Sequence, residues 1–190
     1  MVSRFSEGAK DAVRRRLSVD VRALAVLRVS LALLILADLS VRARNVVFYT
    51  DAGVLPRETQ TAVLAPAAFS LHTLSGSVVA QAFLFGVAAV FAVALLVGYR
   101  TRVVLFVSLV LVLSLHMRNH YVLNAGDRLL RVTLFLCLFV PLGRRYSVDA
   151  YRSAAGGMRD EVVFSAGTAV FLLHAVLVYT SNFLFKLHAD

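Results

Sequence analysis

Polar side chains gather in one stretch of this apolar chain. The stretch reads His116-Met117-Arg118-Asn119-His120-Tyr121-Val122-Leu123-Asn124-Ala125-Gly126-Asp127-Arg128. His116 and His120 are four residues apart and could share one face of a helix, a spacing with which two imidazoles can hold a metal ion. The glutamate of a zinc protease helix is missing here, and no third ligand is obvious. We therefore expect no metal.

Lys186 is the second residue whose type and position could do chemistry. It is one of two lysines beside eighteen arginines, and it lies at the end of an apolar segment. Burial at a membrane boundary can lower the pKa of a lysine amine enough for it to act as a base. Taken alone, the position also fits a side chain that anchors the helix end by reaching to the interface. His72 and His174 are interpreted as structural groups in the core or at the interface.

The elements that carry these residues must lie in a membrane. Of the 190 residues 59% are hydrophobic, and the mean hydropathy of +0.79 is well above that of soluble domains. The formal net charge is +9, but the basic residues form short clusters between apolar runs, which excludes a continuous face for nucleic acid. Cys137 is the only cysteine, so an internal disulfide is excluded.

Five apolar segments predict an all-α integral membrane bundle of about five transmembrane helices, because lipid excludes an open sheet. The predicted spans are 21–41, 77–98, 103–117, 132–143 and 162–185. The first span contains Arg28 and Asp38, and a charged side chain that faces lipid costs several kcal/mol. We expect both to face the bundle, either in a structural ion pair with another helix or in a site.

The distribution of basic residues predicts the orientation of the bundle. Arg and Lys are more numerous on the side that holds the N-terminus than on the other side. The positive-inside rule then places the N-terminus in the cytoplasm, and it places the first loop, the third loop and the end of the last helix at the outer face. The basic segment 1–20 fits an interfacial helix on the inner leaflet, and a disordered tail fits it equally well. We expect a multi-pass protein of the cell membrane with a partly buried first loop.

Several short motifs follow one another in an order that resembles a known family. They are Tyr49-Thr50-Asp51-Ala52-Gly53-Val54-Leu55-Pro56-Arg57, Gly98-Tyr99-Arg100, the stretch from Arg118-Asn119-His120-Tyr121 to Gly126-Asp127, Arg145-Tyr146-Ser147-Val148-Asp149, and Phe185-Lys186-Leu187-His188-Ala189-Asp190. In this order they resemble the HTTM (horizontally transferred transmembrane) domain proteins, the prokaryotic branch of the vitamin K-dependent gamma-carboxylase family. The resemblance covers most of the chain and implies an HTTM-like transmembrane domain over 21–190, truncated at its C-terminal end.

The resemblance implies roles for single residues. Lys186 matches the lysine with which the carboxylases deprotonate their hydroquinone cofactor. His120 matches the histidine of their Asn-His-Ser motif, which is linked to the step in which the glutamyl carbanion meets carbon dioxide. Tyr121 replaces the serine of that motif, and Phe185 and His188 replace a lysine and an aspartate of the last motif. Because the predicted topology places His120 and Lys186 on the same face, we expect them to share a site.

The remaining expected site residues surround these two catalytic positions. The expected ligand-binding residues are Arg118, Asn119, Tyr121, Asn124 and Asp127. The expected structural residues are Arg28, Asp38, Asp51, Gly53 and Arg57. The implied cofactor is a reduced quinone similar to vitamin K hydroquinone, and no metal is expected.

The resemblance implies a lyase or oxidoreductase of the gamma-glutamyl carboxylase type. Such a domain would bind a hydroquinone or another lipid-soluble ligand near the outer face, for carboxylation or related redox-coupled chemistry. Its partners would be the lipid bilayer and a peptide or small lipid-soluble substrate, without nucleic acid. We expect these 190 residues alone to be inactive, because the family continues with further helices and a large domain. The alternative is a non-catalytic membrane scaffold or partner subunit of the DoxX type. A transporter would show inverted repeats, and we detect none.

Overall fold

Helices account for most of the chain that the structure describes. The computed structural model describes residues 12–63, 70–153 and 161–187. The helices there are α1 (Val21–Ala43), α2 (Arg57–Val63), α3 (Val78–Val97), α4 (Thr101–Arg118), α5 (Ala125–Cys137), α6 (Val148–Arg152) and α7 (Ala166–Leu187), with short 3₁₀ turns at Val46–Tyr49, Leu71–Thr73 and His120–Val122. The predicted all-α fold is confirmed. Of the basic segment 1–20, residues 12–16 are helical and residues 1–11 lie outside the described part.

Four of these helices, α1, α3, α4 and α7, are long and apolar enough to cross a membrane. The fifth predicted span is shorter, since α5 has 13 residues. At 1.5 Å per residue it is about 20 Å long, less than the roughly 30 Å of a hydrocarbon core. The prediction of about five spans therefore corresponds to four full spans and one short helix among the described residues.

The bounds of α5 differ from the predicted span 132–143. The helix begins earlier because Asn124 and Asp127 form a capping box, in which each side chain accepts a hydrogen bond from the other residue's backbone N–H. It ends at Cys137 because Pro141 has no N–H to bond to the Cys137 carbonyl, and its ring would clash there.

The last helix, in contrast, begins later than its predicted span 162–185. Val162 and Val163 form the strand β2, which pairs antiparallel with β1 (Val19–Asp20). This two-residue ladder lies where the chain enters α1, and the side chain of Asp20 caps that helix by accepting from the N–H of Arg22. The ladder therefore ties the start of the first long helix to the approach of the last.

The bundle has two ends with different connections. The loop end holds the end of α1, the first loop, the end of α4 and the start of α5. The turn end holds the start of α1, the short turn from α3 to α4, and the segment from 138 to 153. At the turn end Gly98 closes α3 in the left-handed conformation, with φ of 72°, which glycine adopts without steric cost.

The apolar core lies between α1, α3, α4 and α5, which pack in that order along the chain. Its almost fully buried side chains include Leu24, Ile35, Leu95, Leu105 and Leu134. Helix α7 packs beside α5 and is largely uncovered, with Thr168 as its only buried residue. The core thus positions four helices firmly, while α7 presents a wide apolar surface.

Candidate functional site

A group of charged side chains lies at the loop end of the bundle, with Asp38 half-buried and the others buried. We call it the buried charge cluster, and its members are Asp38, Arg42, His116 and Asp127, with the phenol of Tyr49 beside them. The side chains come from α1, α4, α5 and the first loop. Charges at such a depth require partners, because each would otherwise lose its hydration without compensation.

Arg42 lies at the centre of the cluster. Its Nε donates to both carboxylate oxygens of Asp38 at 2.8 Å, and its second terminal nitrogen donates to Oδ1 of Asp127 at 2.7 Å. Its remaining terminal nitrogen donates to the Tyr49 hydroxyl at 2.9 Å. Asp38 and Arg42 are one helical turn apart on α1, so their pairing is local, whereas Asp127 arrives from α5. Arg42 therefore links two helices and the first loop.

His116 completes the cluster without a hydrogen bond of its own. The residue is fully buried in the last turn of α4, and neither ring nitrogen has a hydrogen-bond partner among the described residues. Its Nε2 lies 3.7 Å from Oδ2 of Asp38 and 3.7 Å from Oδ1 of Asp127. One ligand atom from each of these three residues lies within 4.8 Å of the others, an arrangement that could hold a metal ion.

Arg118 joins the end of α4 to the first loop. It is fully buried, and its guanidinium donates to the carbonyls of Leu55 at 2.8 Å and Thr50 at 3.1 Å. It also donates to Oε1 of Gln60 at 3.1 Å, on α2. A planar guanidinium can satisfy several acceptors at once, which an ammonium on a flexible stem does less well. Arg118 therefore holds the backbone of the first loop against the end of α4.

Asn119 continues this connection beyond α4. Its amide donates to the Phe48 carbonyl at 3.0 Å, and its oxygen caps the short turn that follows by accepting from the N–H of Tyr121. In return the Gln60 amide donates to the Met117 carbonyl at 2.8 Å. The first loop and the third loop thus form one hydrogen-bonded surface.

Asp51 and Arg57 close the tip of the first loop. Arg57 donates through its side chain and its backbone N–H to the Asp51 carboxylate, with 2.8 Å between the nearest charged atoms. The hydrogen bond from the Arg57 side chain is the main reason why the pKa of Asp51 lies below its usual range. Gly53 lies beneath the turn, and a Cβ there would come 2.3 Å from the Val47 carbonyl oxygen. Only glycine fits this approach.

The residues expected to share a site lie in different surroundings. His120 is half-buried in a short turn, its Nδ1 is buried without a hydrogen-bond partner, and its ring centre lies 4.1 Å from that of Tyr121. Tyr121 is exposed. Lys186 is exposed in the last turn of α7. The common cavity for His120 and Lys186 stays a prediction.

The other expected binding residues hold the fold together through their own hydrogen bonds. Arg118 and Asn119 bind the first loop, while Asn124 and Asp127 cap α5. Asp127 also carries the ion pair with Arg42. Whatever ligand approaches the loop end therefore meets side chains that are already oriented.

Arg28 lies at the turn end, away from the buried charge cluster. It is almost fully buried and donates to backbone carbonyls of Leu142, Arg145, Tyr146 and Leu96 at 2.5 to 3.5 Å. These bonds hold the segment after α5 against α1 and α3. These hydrogen-bond partners are carbonyl dipoles, not the carboxylate that a structural ion pair would supply.

Asp149 provides a second connection at the turn end. It accepts from the N–H of Arg100 at 2.8 Å and from both the N–H and the hydroxyl of Thr101 at 2.7 Å. Burial opposes the charge of this carboxylate, but the donors outweigh burial, so the pKa of Asp149 lies below its usual range. Asp149 thus caps α4 from a distant segment, because Arg100 at the cap position supplies no side-chain acceptor.

Two of the cavities beside the described helices bear on ligand binding. One, of about 510 Å³, lies at the turn end and is lined by Arg100, Arg102 and Arg144 among others. The second, of about 340 Å³, is a mostly apolar groove between α4 and α5, lined by Leu109, Leu113, Arg128, Arg131, Val132 and Phe135. The arginine-lined cavity suits phosphate head groups, while the apolar groove suits a ring or a chain.

Sequence reasoning overlooked Arg42 and considered His116 only beside His120. The spacing of Asp38 and Arg42, four residues apart in an apolar segment, was a usable signal. The approach of Asp127 and His116 had no local signal, since three different helices bring these residues together.

Comparisons with protein-family models, with curated proteins and with solved structures find no match.

Proposed function

We propose that this membrane bundle is an HTTM-type, carboxylase-like domain that binds a reduced quinone or a similar lipid-soluble ligand near its loop end. The observation that carries the proposal is the convergence of two motif segments. The segment from Tyr49 to Arg57 and the segment from Arg118 to Asp127 are far apart in sequence, yet Arg118 and Asn119 bind the first loop directly. Two of the motifs that resemble the family therefore build one surface.

The apolar groove between α4 and α5 offers a place for such a ligand. Its volume of about 340 Å³ falls within the usual range of small-molecule sites, roughly 300–1,000 Å³. Leu109, Leu113 and Phe135 would contact an apolar ring, and Arg128 and Arg131 could donate to its oxygens. A quinol would enter such a groove from the lipid.

The groove can be tested by filling it. Val132→Trp should weaken the binding of vitamin K hydroquinone to the protein in lipid nanodiscs by at least about tenfold, since an indole would occupy much of the groove. Val176→Trp is the matched control, because Val176 is exposed on α7. Quinol titration followed by fluorescence measures both. Equal affinity in the two variants would mean that the groove is not the binding site. No binding by the parent protein would contradict the proposed quinol ligand and favour the scaffold.

Lys186 is the proposed base, and His120 is its proposed partner. Deprotonating a hydroquinone requires an amine that can lose its proton, which arginine cannot do near neutral pH because its pKa is above about 12. In the full-length protein, Lys186→Arg should lower hydroquinone oxidation by about 100-fold or more. Quinol binding and expression should survive, since the positive charge remains. Unchanged oxidation would return Lys186 to an anchoring role.

A non-catalytic scaffold is the second candidate function, and α7 supports it. Thr168 is the only buried residue of this 22-residue helix, and apolar side chains such as Val176 and Phe183 are exposed along it. Lipid or a neighbouring protein helix would cover such a surface. Failure of quinol binding together with a stable helical partner on α7 would favour this function over the enzyme.

A further inference from the structure

We infer that the buried charge cluster binds one divalent first-row transition metal ion, with His116, Asp38 and Asp127 as its protein ligands. The inference is independent of the proposed function, because it uses neither the apolar groove nor Lys186. It starts from His116, which is fully buried with no hydrogen-bond partner on either nitrogen. Buried polar groups are nearly always satisfied, so an orphaned imidazole beside two carboxylates points to a missing cation.

The distances fit ligands on one ion better than they fit hydrogen bonds. Nε2 of His116 lies 3.7 Å from Oδ2 of Asp38 and 3.7 Å from Oδ1 of Asp127, which is too long for a hydrogen bond. Two ligands at about 2.0–2.2 Å from a tetrahedral zinc ion are roughly 3.3–3.6 Å apart. A closing movement of a few tenths of an ångström would bring each of these two pairs to that separation, and all three ligand atoms already lie within 4.8 Å of one another.

The charge of the cluster also calls for a cation. Two carboxylates and the Arg42 guanidinium leave one net negative charge when His116 is neutral. A bound divalent ion would change this to one net positive charge, which a hydroxide in the open fourth position would balance. A proton on His116 would balance the charge directly, but the imidazole would then lie beyond hydrogen-bond distance of both carboxylates.

Neighbouring groups already hold the carboxylates in place. Arg42 donates to Asp38 and Asp127, and the backbone N–H of Asn124 donates to the second oxygen of Asp127 at 2.8 Å. Such outer partners orient metal ligands in known sites. A mixed set of imidazole and carboxylates suits Zn²⁺, Mn²⁺ or Fe²⁺ better than Ca²⁺. Three protein ligands would leave a fourth position for water or a substrate atom.

Zinc binding by the protein in lipid nanodiscs tests the inference. After removal of metal with EDTA and dialysis against micromolar Zn²⁺, elemental analysis should give one zinc per chain. Co²⁺ in place of zinc should produce the visible absorption of a four-coordinate ion. A chain that takes up no zinc would overturn the inference, as would a His116 that titrates with protons in ¹⁵N spectra while no metal binds.

Matched variants locate the ion. His116→Gln and Asp38→Asn should each weaken zinc binding by more than about 100-fold, because each removes a direct ligand. Neither should prevent folding, since His116 has no hydrogen bond to lose and the Arg42 to Asp127 pair survives the second change. His174→Gln, on α7, is the control and should bind zinc as the parent does. Equal affinity in His116→Gln and the parent, or an equal loss in the control, would overturn the assignment.

Discussion

Buried arginines connect the segments of this protein at the scale of single residues. Arg28 binds four carbonyls, Arg42 binds Asp38, Asp127 and Tyr49, and Arg118 binds the first loop. Each guanidinium serves acceptors on several segments at once, which the fixed fork of its donors permits. The strong preference of this chain for arginine over lysine therefore has a structural use inside the bundle as well as at its boundaries.

Asp127 is the residue whose loss should cost most at this scale. Asp127→Asn should lower the free energy of unfolding by about 3 kcal/mol, near the lower end for a broken buried ion pair, because Arg42 keeps Asp38. Asn124→Ala removes only the helix cap and should cost about 1 kcal/mol. Unfolding of both variants in the same detergent measures the difference. Equal costs would mean that the ion pair contributes nothing beyond the cap.

Sequence reasoning reached individual members of this cluster but not the cluster itself. Asp38 stood out because a carboxylate is rare in an apolar segment, and His116 because another histidine follows one turn later. Arg42 did not, because it lies at the predicted helix end, where arginines commonly reach to the interface. Only the packing of α1 against its neighbours shows that Arg42 turns inward.

Short turns determine the arrangement of the helices at the scale of elements. The turn from α3 to α4 places Gly98 at a φ of 72°, and a Cβ there would lie 2.4 Å from Ser147 Cβ and 2.8 Å from a terminal nitrogen of Arg28. The glycine therefore allows two helices, Arg28 and the segment after α5 to meet in one place.

Two Gly→Ala substitutions, one inside α3 and one at the cap that follows it, should have opposite effects. Gly98→Ala should destabilise the protein by more than about 2 kcal/mol, since the left-handed backbone alone costs roughly 1–2 kcal/mol for alanine and the contacts add to this. Gly86 lies inside α3, and a Cβ there meets nothing within 4 Å. Gly86→Ala should therefore stabilise the helix by about 0.5–1 kcal/mol. Thermal unfolding in detergent measures both, and a shift of the same sign would contradict this account.

Element type followed from the sequence more readily than element bounds. Long apolar segments must be helical in lipid, so the four long helices were predictable. The start of α5 depends on the capping box at Asn124, and the start of α7 depends on strand pairing of Val162 and Val163 with a distant segment. Apolar content alone carries neither signal.

Orientation in the membrane is the main prediction for the whole molecule. Val54 is exposed at the loop end, and Tyr151 is exposed in the segment after α5 at the turn end. With Cys137 replaced by alanine, Val54→Cys should react with an impermeant maleimide added to intact cells, because the positive-inside rule places the loop end outside. Tyr151→Cys should react only after the cells are opened. Reaction of Tyr151→Cys in intact cells would show that the predicted orientation is wrong.

The uneven packing of the bundle bears on the order in which its helices assemble during synthesis. Among the described residues, every side chain of the main apolar core lies between Leu24 and Leu142. Those residues leave the ribosome before α7 does, so the core can close in the membrane during translation. Helix α7 leaves the ribosome afterwards, and its approach is tied to the start of α1 by the pairing of Val162–Val163 with Val19–Asp20. We therefore expect the bundle to assemble in two stages, with α7 added last.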